Sequence, residues 1–161
     1  MKKLLLLLIL LLLIILPSLA FACPARVVSV ADGDTITIEP LGGGDRVNIR
    51  LWGVDCPESN QPIGFTATEF TKNLVLFKIV VLDVKDKDQY GRTVAIVSTE
   101  RGKSLQESLL QEGLAWVYPQ YCKDTKICND WKNIEKEARA NKKGIWKDAN
   151  PTEPWKWRKK K

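Results

Sequence analysis

Between Arg26 and Leu51 three short β-forming segments follow one another with only tight turns between them, and this leaves the chain little choice of topology. Arg26-Val27-Val28-Ser29-Val30 is a β-branched run that ends at Asp32-Gly33, a tight-turn dipeptide. Thr35-Ile36-Thr37-Ile38 alternates polar and apolar residues, as a half-buried strand does. Leu41-Gly42-Gly43-Gly44-Asp45 is a glycine-rich turn, after which Val47-Asn48-Ile49-Arg50-Leu51 alternates again. The expected arrangement is a β-meander. Its second strand leaves the Asp32–Asp34 turn and its third runs back beside it, so the end of the third strand returns to that turn. Gly53 and Pro57 bracket the exit of the third strand, which puts Asp55 and Glu58 on a bend. Asp32, Asp34, Asp55 and Glu58 are thereby expected to converge, with Arg50 one step inside.

Further along, Phe65 to Phe77 reads as a helix, with Ala67, Phe70 and Leu74 at helical spacing. Ile79 to Leu82 is a fourth strand, Lys85 to Arg92 a charged hairpin loop, and Thr93 to Val97 a fifth strand. Ser104 with Glu107 three residues on is a capping-box pattern that opens a second helix, stopped at Gly113. Leu114 to Tyr118 is extended, and a third helix covers roughly Trp131 to Asn141. These elements predict a small α+β protein, rich in β: a five-stranded barrel with about three helices packed on it.

Met1-Lys2-Lys3 precedes an uncharged stretch from Leu4 to Ala22, whose densest apolar run is shorter than a bilayer needs. Ala20-Phe21-Ala22 fits a small-x-small cleavage site, so residues 1–22 read as a secretory signal cleaved before Cys23. An uncleaved anchor is the alternative, and Cys23 allows lipid attachment although Ala20 and Phe21 match that signal poorly. Residues 23–150 form one domain by length. Residues 151–161 are a tail in which Trp155 and Trp157 alternate with Lys156, Arg158 and the closing lysines. The net charge of +6 suits a polyanionic partner, nucleic acid or an anionic membrane, and a purely solubilising tail suits it equally. Of the four cysteines, Cys122 and Cys128 enclose a short polar loop and are the expected disulfide in an exported chain.

There is no histidine. Ser-His-Asp and Cys-His nucleophilic systems are thus excluded, and a Cys/His zinc site is disfavoured. A base near neutral pH has to be a carboxylate or a perturbed lysine, tyrosine or cysteine. Clustered carboxylates repel one another unless a cation holds them, and oxygen-only ligands indicate a hard ion, Ca²⁺ or Mg²⁺. Arg50 and Arg92 are candidate phosphate clamps, since a guanidinium binds phosphate in a bidentate way and stays protonated. Glu58, both arginines and a metal on Asp34 and Asp55 would supply the base and the positive charge that phosphodiester hydrolysis requires.

Three ordered motifs now carry a resemblance: Asp32-Gly33-Asp34-Thr35, Arg50-Leu51-Trp52-Gly53-Val54-Asp55-Cys56-Pro57-Glu58, and Asp88-Gln89-Tyr90-Gly91-Arg92. With Gly144-Ile145-Trp146 they resemble the thermonuclease, or staphylococcal nuclease-like, family over roughly Ala25 to Trp146. The resemblance implies an OB-fold barrel with three helices and Ca²⁺-dependent hydrolysis of DNA and RNA that leaves 3′-phosphates. It implies Asp34 and Asp55 as metal ligands together with the Cys56 backbone carbonyl. Asp32 is then a nearby carboxylate of that site, with an intervening water left open. Arg50 and Arg92 are implied as the phosphate-binding pair and Glu58 as the general base. Tyr90 matches a nucleotide-contacting tyrosine, and Tyr118 and Tyr121 fall where others sit.

The chain also departs from the best-known member. Cys56 replaces a threonine, Gln89 replaces a lysine, and Ser59 to Gly64 is shorter than its lysine-rich loop, which bears on substrate preference. The expected protein is an exported, monomeric, Ca²⁺-dependent nuclease with no obligate protein partner. Its rivals are a catalytically silent OB-fold module that binds single-stranded nucleic acid, and a binding protein held at the envelope by Cys23 or by the tail.

Overall fold

The computed structural model describes residues 23–160. The expected signal segment lies outside the described residues. Five strands close a barrel in the order β1-β2-β3-β6-β5: β1 (Cys23–Asp32), β2 (Thr35–Pro40), β3 (Val47–Leu51), β5 (Ile79–Lys87) and β6 (Thr93–Thr99). The meander is as the turns dictate. β1 pairs antiparallel with β2 and β2 with β3, and Thr35 at the start of β2 faces Arg50 near the end of β3. Closure comes from a parallel pairing of β3 with β6, in which Arg50 lies opposite Val94. Two further strands, β4 (Val54–Asp55) and β7 (Trp116–Val117), form a small antiparallel ribbon beside the barrel. Asp55 therefore lies in a strand and not on the expected bend. The strand's partner comes from far along the chain, which local turn signals do not report.

Inward-facing side chains of every barrel strand make the core, among them Val27, Ile36, Ile49, Leu51, Val80 and Val97, all essentially solvent-free. Around it pack α1 (Gly64–Val75), α2 (Leu105–Gln111) and α3 (Thr125–Ala140). Ser104 caps α2 by accepting from the Glu107 N–H, as the capping box predicts. Helix α3 begins six residues earlier than its apolar periodicity suggests, because the Asp124 carboxylate accepts from the N–H groups of Lys126 and Ile127. Where β3 stops, the edge of β6 is taken over by a side chain. The buried Gln106 amide donates to the Ala95 carbonyl and accepts from the Val97 N–H, which docks α2 on the barrel.

A fourth, short helix, α4 (Pro154–Trp157), lies within the expected tail and continues into a 3-10 turn, Arg158–Lys160. Pro154 opens it, a position where the missing N–H costs nothing. This tail is folded back on the domain. The Gln61 amide donates to the Thr152 carbonyl (2.6 Å), the Trp157 indole N–H donates to Asn60 Oδ1 (3.2 Å), and the Trp155 ring stacks parallel on Tyr118 (4.9 Å between centroids).

Cys122 and Cys128 form the expected disulfide, joining the segment after β7 to the first turn of α3. Replacing both by alanine should lower stability by about 2 kcal/mol on the chain-entropy argument for so short a loop. Urea unfolding of the two proteins under oxidising conditions measures it.

Candidate active site

The acids meet at the barrel end where the β1–β2 turn faces β4. Asp34 follows the turn and Asp55 is in β4; their relative exposures are only 5% and 1%. Three contacts hold the turn in place. Leu51 N–H donates to the Asp34 carbonyl (2.9 Å), Cys56 N–H donates to Asp34 Oδ2 (2.6 Å), and the Thr71 hydroxyl of α1 donates to the Gly33 carbonyl (2.7 Å). Gly33 is required by close approach: a β-carbon there would stand 2.8 Å from the Cys56 β-carbon and 2.9 Å from that of Ala67.

Arg50 lies between the two acids. Its Nη1 pairs with Asp34 Oδ1 and its Nη2 donates to Asp55 Oδ1 at 2.6 Å, while the side chain keeps 15% of its surface exposed. Burial works against the guanidinium charge, but Asp34 and Asp55 outweigh it and hold Arg50 protonated well beyond the ordinary range. Burial likewise pushes the Asp55 carboxyl up to about 6; Arg50 pulls it down, and the neighbouring Asp34 adds to the rise. Asp32 is also pushed up to about 6, by burial first and then by the Asp34 charge. Its carboxylate accepts from the Asp34 N–H (3.0 Å), so Asp32 shapes the turn that presents Asp34. The Cys56 thiol is buried and pushed well above its usual range, chiefly by desolvation, so it is not a nucleophile.

Glu58 lies at the rim, its side chain 35% exposed, and the loop behind it closes where the Glu58 N–H donates to Gln61 Oε1. One partner of this site is absent from the sequence reading. Arg158, from the folded-back tail, donates from Nη1 to Glu58 Oε1 (2.6 Å) and Asp55 Oδ1 (3.3 Å), and from Nη2 to Asp55 Oδ2 (2.9 Å). Local sequence gives one signal for it, the aromatic and proline content of Pro154-Trp155-Lys156-Trp157, which is unusual for a solvated tail.

The structure thus brings together Asp32, Asp34, Arg50, Asp55, Cys56 and Glu58. Arg92 is held within the β5–β6 hairpin, where its Nε donates to Asp88 Oδ2 (2.7 Å) and its guanidinium lies over the Tyr90 ring, 5.7 Å from the centroid. Tyr90 is 75% exposed. Tyr118 and Tyr121 meet edge to face (4.8 Å), and the other face of Tyr118 carries Trp155.

As to a metal, among the described residues no three Asp, Glu or Cys side chains are grouped as a ready cage. What the site offers is an oxygen donor set: the buried, mutually repelling carboxylates of Asp34 and Asp55 and the backbone beside them. That chemistry fits a hard divalent cation. In the structure both oxygens of each carboxylate are engaged by Arg50, Arg158, Thr35 or the Cys56 N–H.

Because the raised Asp32 carboxyl binds its proton more tightly in the folded than in the unfolded chain, its contribution to stability falls as the pH rises from about 4 to about 6. Asp32→Asn keeps an acceptor for the Asp34 N–H and removes the charge. In chelator it should raise the unfolding free energy by up to about 2 kcal/mol at pH 8 and leave it unchanged at pH 3. Denaturant titrations at the two pH values decide it.

The family described as "Staphylococcal nuclease homologue" matches residues 48–148. A protein of Escherichia coli O157:H7 named "Uncharacterized endonuclease" is 38% identical over 145 residues, covering 90% of this chain and 91% of its own length. The "Micrococcal nuclease" of Shigella flexneri is 36% identical over 141 residues, covering 83% of this chain and 79% of that protein. An endonuclease-named protein of Haemophilus influenzae is 36% identical over 134 residues, covering 83% and 72%. With the barrel, the acid cluster and these matches in agreement, the chain belongs to the staphylococcal nuclease family, as an endonuclease-type hydrolase.

Proposed function

We propose that the protein is an exported, Ca²⁺-dependent endonuclease that hydrolyses the phosphodiester bonds of both DNA and RNA and leaves 3′-phosphates. The observation that carries this reading is the convergence of Asp34, Asp55 and Glu58 around guanidinium groups at one end of the barrel. Asp34 and Asp55, with the Cys56 carbonyl, would hold the cation. When bound, Ca²⁺ supplies positive charge to the phosphate and polarises a water. Glu58, at the solvent edge of the cluster, takes the proton of the attacking water. Arg50 and Arg92 offset charge on the phosphate oxygens; Arg92 uses only Nε on Asp88 among the described residues, which leaves its terminal nitrogens for a ligand. The exposed Tyr90 ring beside it offers a face for a base. The protein acts as a monomer.

Export rests on Lys2-Lys3, the apolar run and Ala20-Phe21-Ala22, and a disulfide suited to an oxidising compartment accords with it. Among the described residues no helix is long and apolar enough to cross a membrane. Mass spectrometry of the exported protein should find a chain that begins at Cys23, with any added lipid read from the same mass.

Purified Cys23–Lys161 should degrade single-stranded DNA and RNA with Ca²⁺ and not with chelator. Glu58→Gln should reduce turnover ~10²–10⁴-fold, the usual worth of a positioned base, with thermal unfolding unchanged. Asp34→Ala should abolish the response to Ca²⁺. Salt-sensitive binding without cleavage under any divalent ion would make the protein a nucleic-acid-binding module instead.

A further inference from the structure

The sequence motifs account for two arginines at the site, yet the residue that bonds the Glu58 side chain is neither of them. Arg50 is mostly buried and its guanidinium bridges Asp34 and Asp55, with no contact to Glu58 among the described residues. Arg92 is paired with Asp88 on a hairpin. Arg158 is the guanidinium in contact with both Asp55 and Glu58, and its side chain keeps 42% of its surface open to solvent.

Its placement is built. The segment that carries it is fastened to the loop after Glu58 through Gln61 and Asn60, and to Tyr118 through the stacked Trp155. Pro154 is buried at the start of the helical turn. Arg158 grips Asp55 with its two terminal nitrogens, one on each carboxylate oxygen, and Nη1 reaches on to Glu58. Burial works against the Arg158 charge, but Asp55 and Glu58 hold it protonated.

We propose that Arg158 is a third arginine of the reaction centre, which binds the scissile phosphodiester beside Glu58. The inference rests on the nuclease reading of the site. A phosphorus close enough for Glu58 to serve its attacking water lies within reach of a guanidinium bonded to that same carboxylate. Two oxygens of a phosphate accept the planar guanidinium fork side by side, as those of a carboxylate do. In the free protein the acids keep the group charged and aimed; on binding, phosphate oxygens replace part of that coordination. The C-terminal segment is then a working part of the site.

The test uses the full mature chain with Ca²⁺ and a single-stranded oligonucleotide. Arg158→Ala should lower kcat/KM ~10²–10³-fold, the usual effect of removing one charge-stabilising donor. Thermal unfolding should stay close to that of the parent, and Arg158→Lys should recover part of the rate. A second readout uses the Glu58→Gln background, where binding is measured over a salt series. There Arg158→Ala should reduce the log–log slope by about 0.7, one phosphate contact to a single strand, which a purely structural role would not do. If the alanine variant does not fold, the lysine variant decides, and parental kinetics in it count against the proposal. Parental or faster cleavage by Arg158→Ala, or an unchanged salt slope, would overturn it while the nuclease reading stood. A parent protein inactive with every divalent ion would sink that reading first and this inference with it.

Discussion

The contact on which the rest depends is the buried bridge from Asp34 through Arg50 to Asp55. It ties a turn between two strands of the barrel to a strand outside it, and it does so where water is nearly excluded. Two carboxylates this close would not both stay ionised alone, and a guanidinium this buried would not stay charged alone. Together they fix one another's protonation and position. Gly33 lets the turn come down onto Cys56, and Thr71 fastens the same turn to a helix. The barrel is in this sense a frame for holding like charges near each other.

That arrangement leaves the site balanced between protein donors and a ligand. Every oxygen of the Asp34 and Asp55 carboxylates is engaged, but the engagements differ in kind. Those of Arg50 and of the Cys56 N–H are buried and belong to the fold. Those of Arg158 come from a partly exposed side chain whose own segment is held by the buried Pro154, by packing of Trp155 and by two side-chain hydrogen bonds. The charge of the centre is therefore adjusted from its solvent side, while its inner side is fixed.

The sequence made the meander legible because Asp32-Gly33 and the glycine run leave room only for antiparallel neighbours; that brought Arg50 back to Asp34, and the Gly53 and Pro57 signals after the third strand added Asp55. The capping box at Ser104 and the Cys122–Cys128 pair were legible for the same reason, since each is a local rule. What stayed hidden is non-local. The ribbon that takes Asp55 into a strand needs Trp116 as its partner, and Gln106 standing in for a strand edge needs α2 beside β6. Arg158, 103 residues from Asp55, looked like one cation in a basic tail. No periodicity or spacing connects such residues; only the closed barrel and the packed tryptophans do.

The parallel pairing of β3 with β6 has a kinetic consequence. The first three strands can zip together by local turns, but Arg50 acquires its backbone neighbour Val94 only after a helix, a strand and a hairpin have been laid down between them. Non-local closure of this kind is the slow part of folding. A segment spanning Asp32 to Glu58 carries the acids and Arg50, yet Thr71, which fastens the turn, Val94, which backs Arg50, and Trp116, which pairs with Asp55, all lie outside it. Enzymatic competence should therefore appear late and all at once, reporting on closure of the whole barrel.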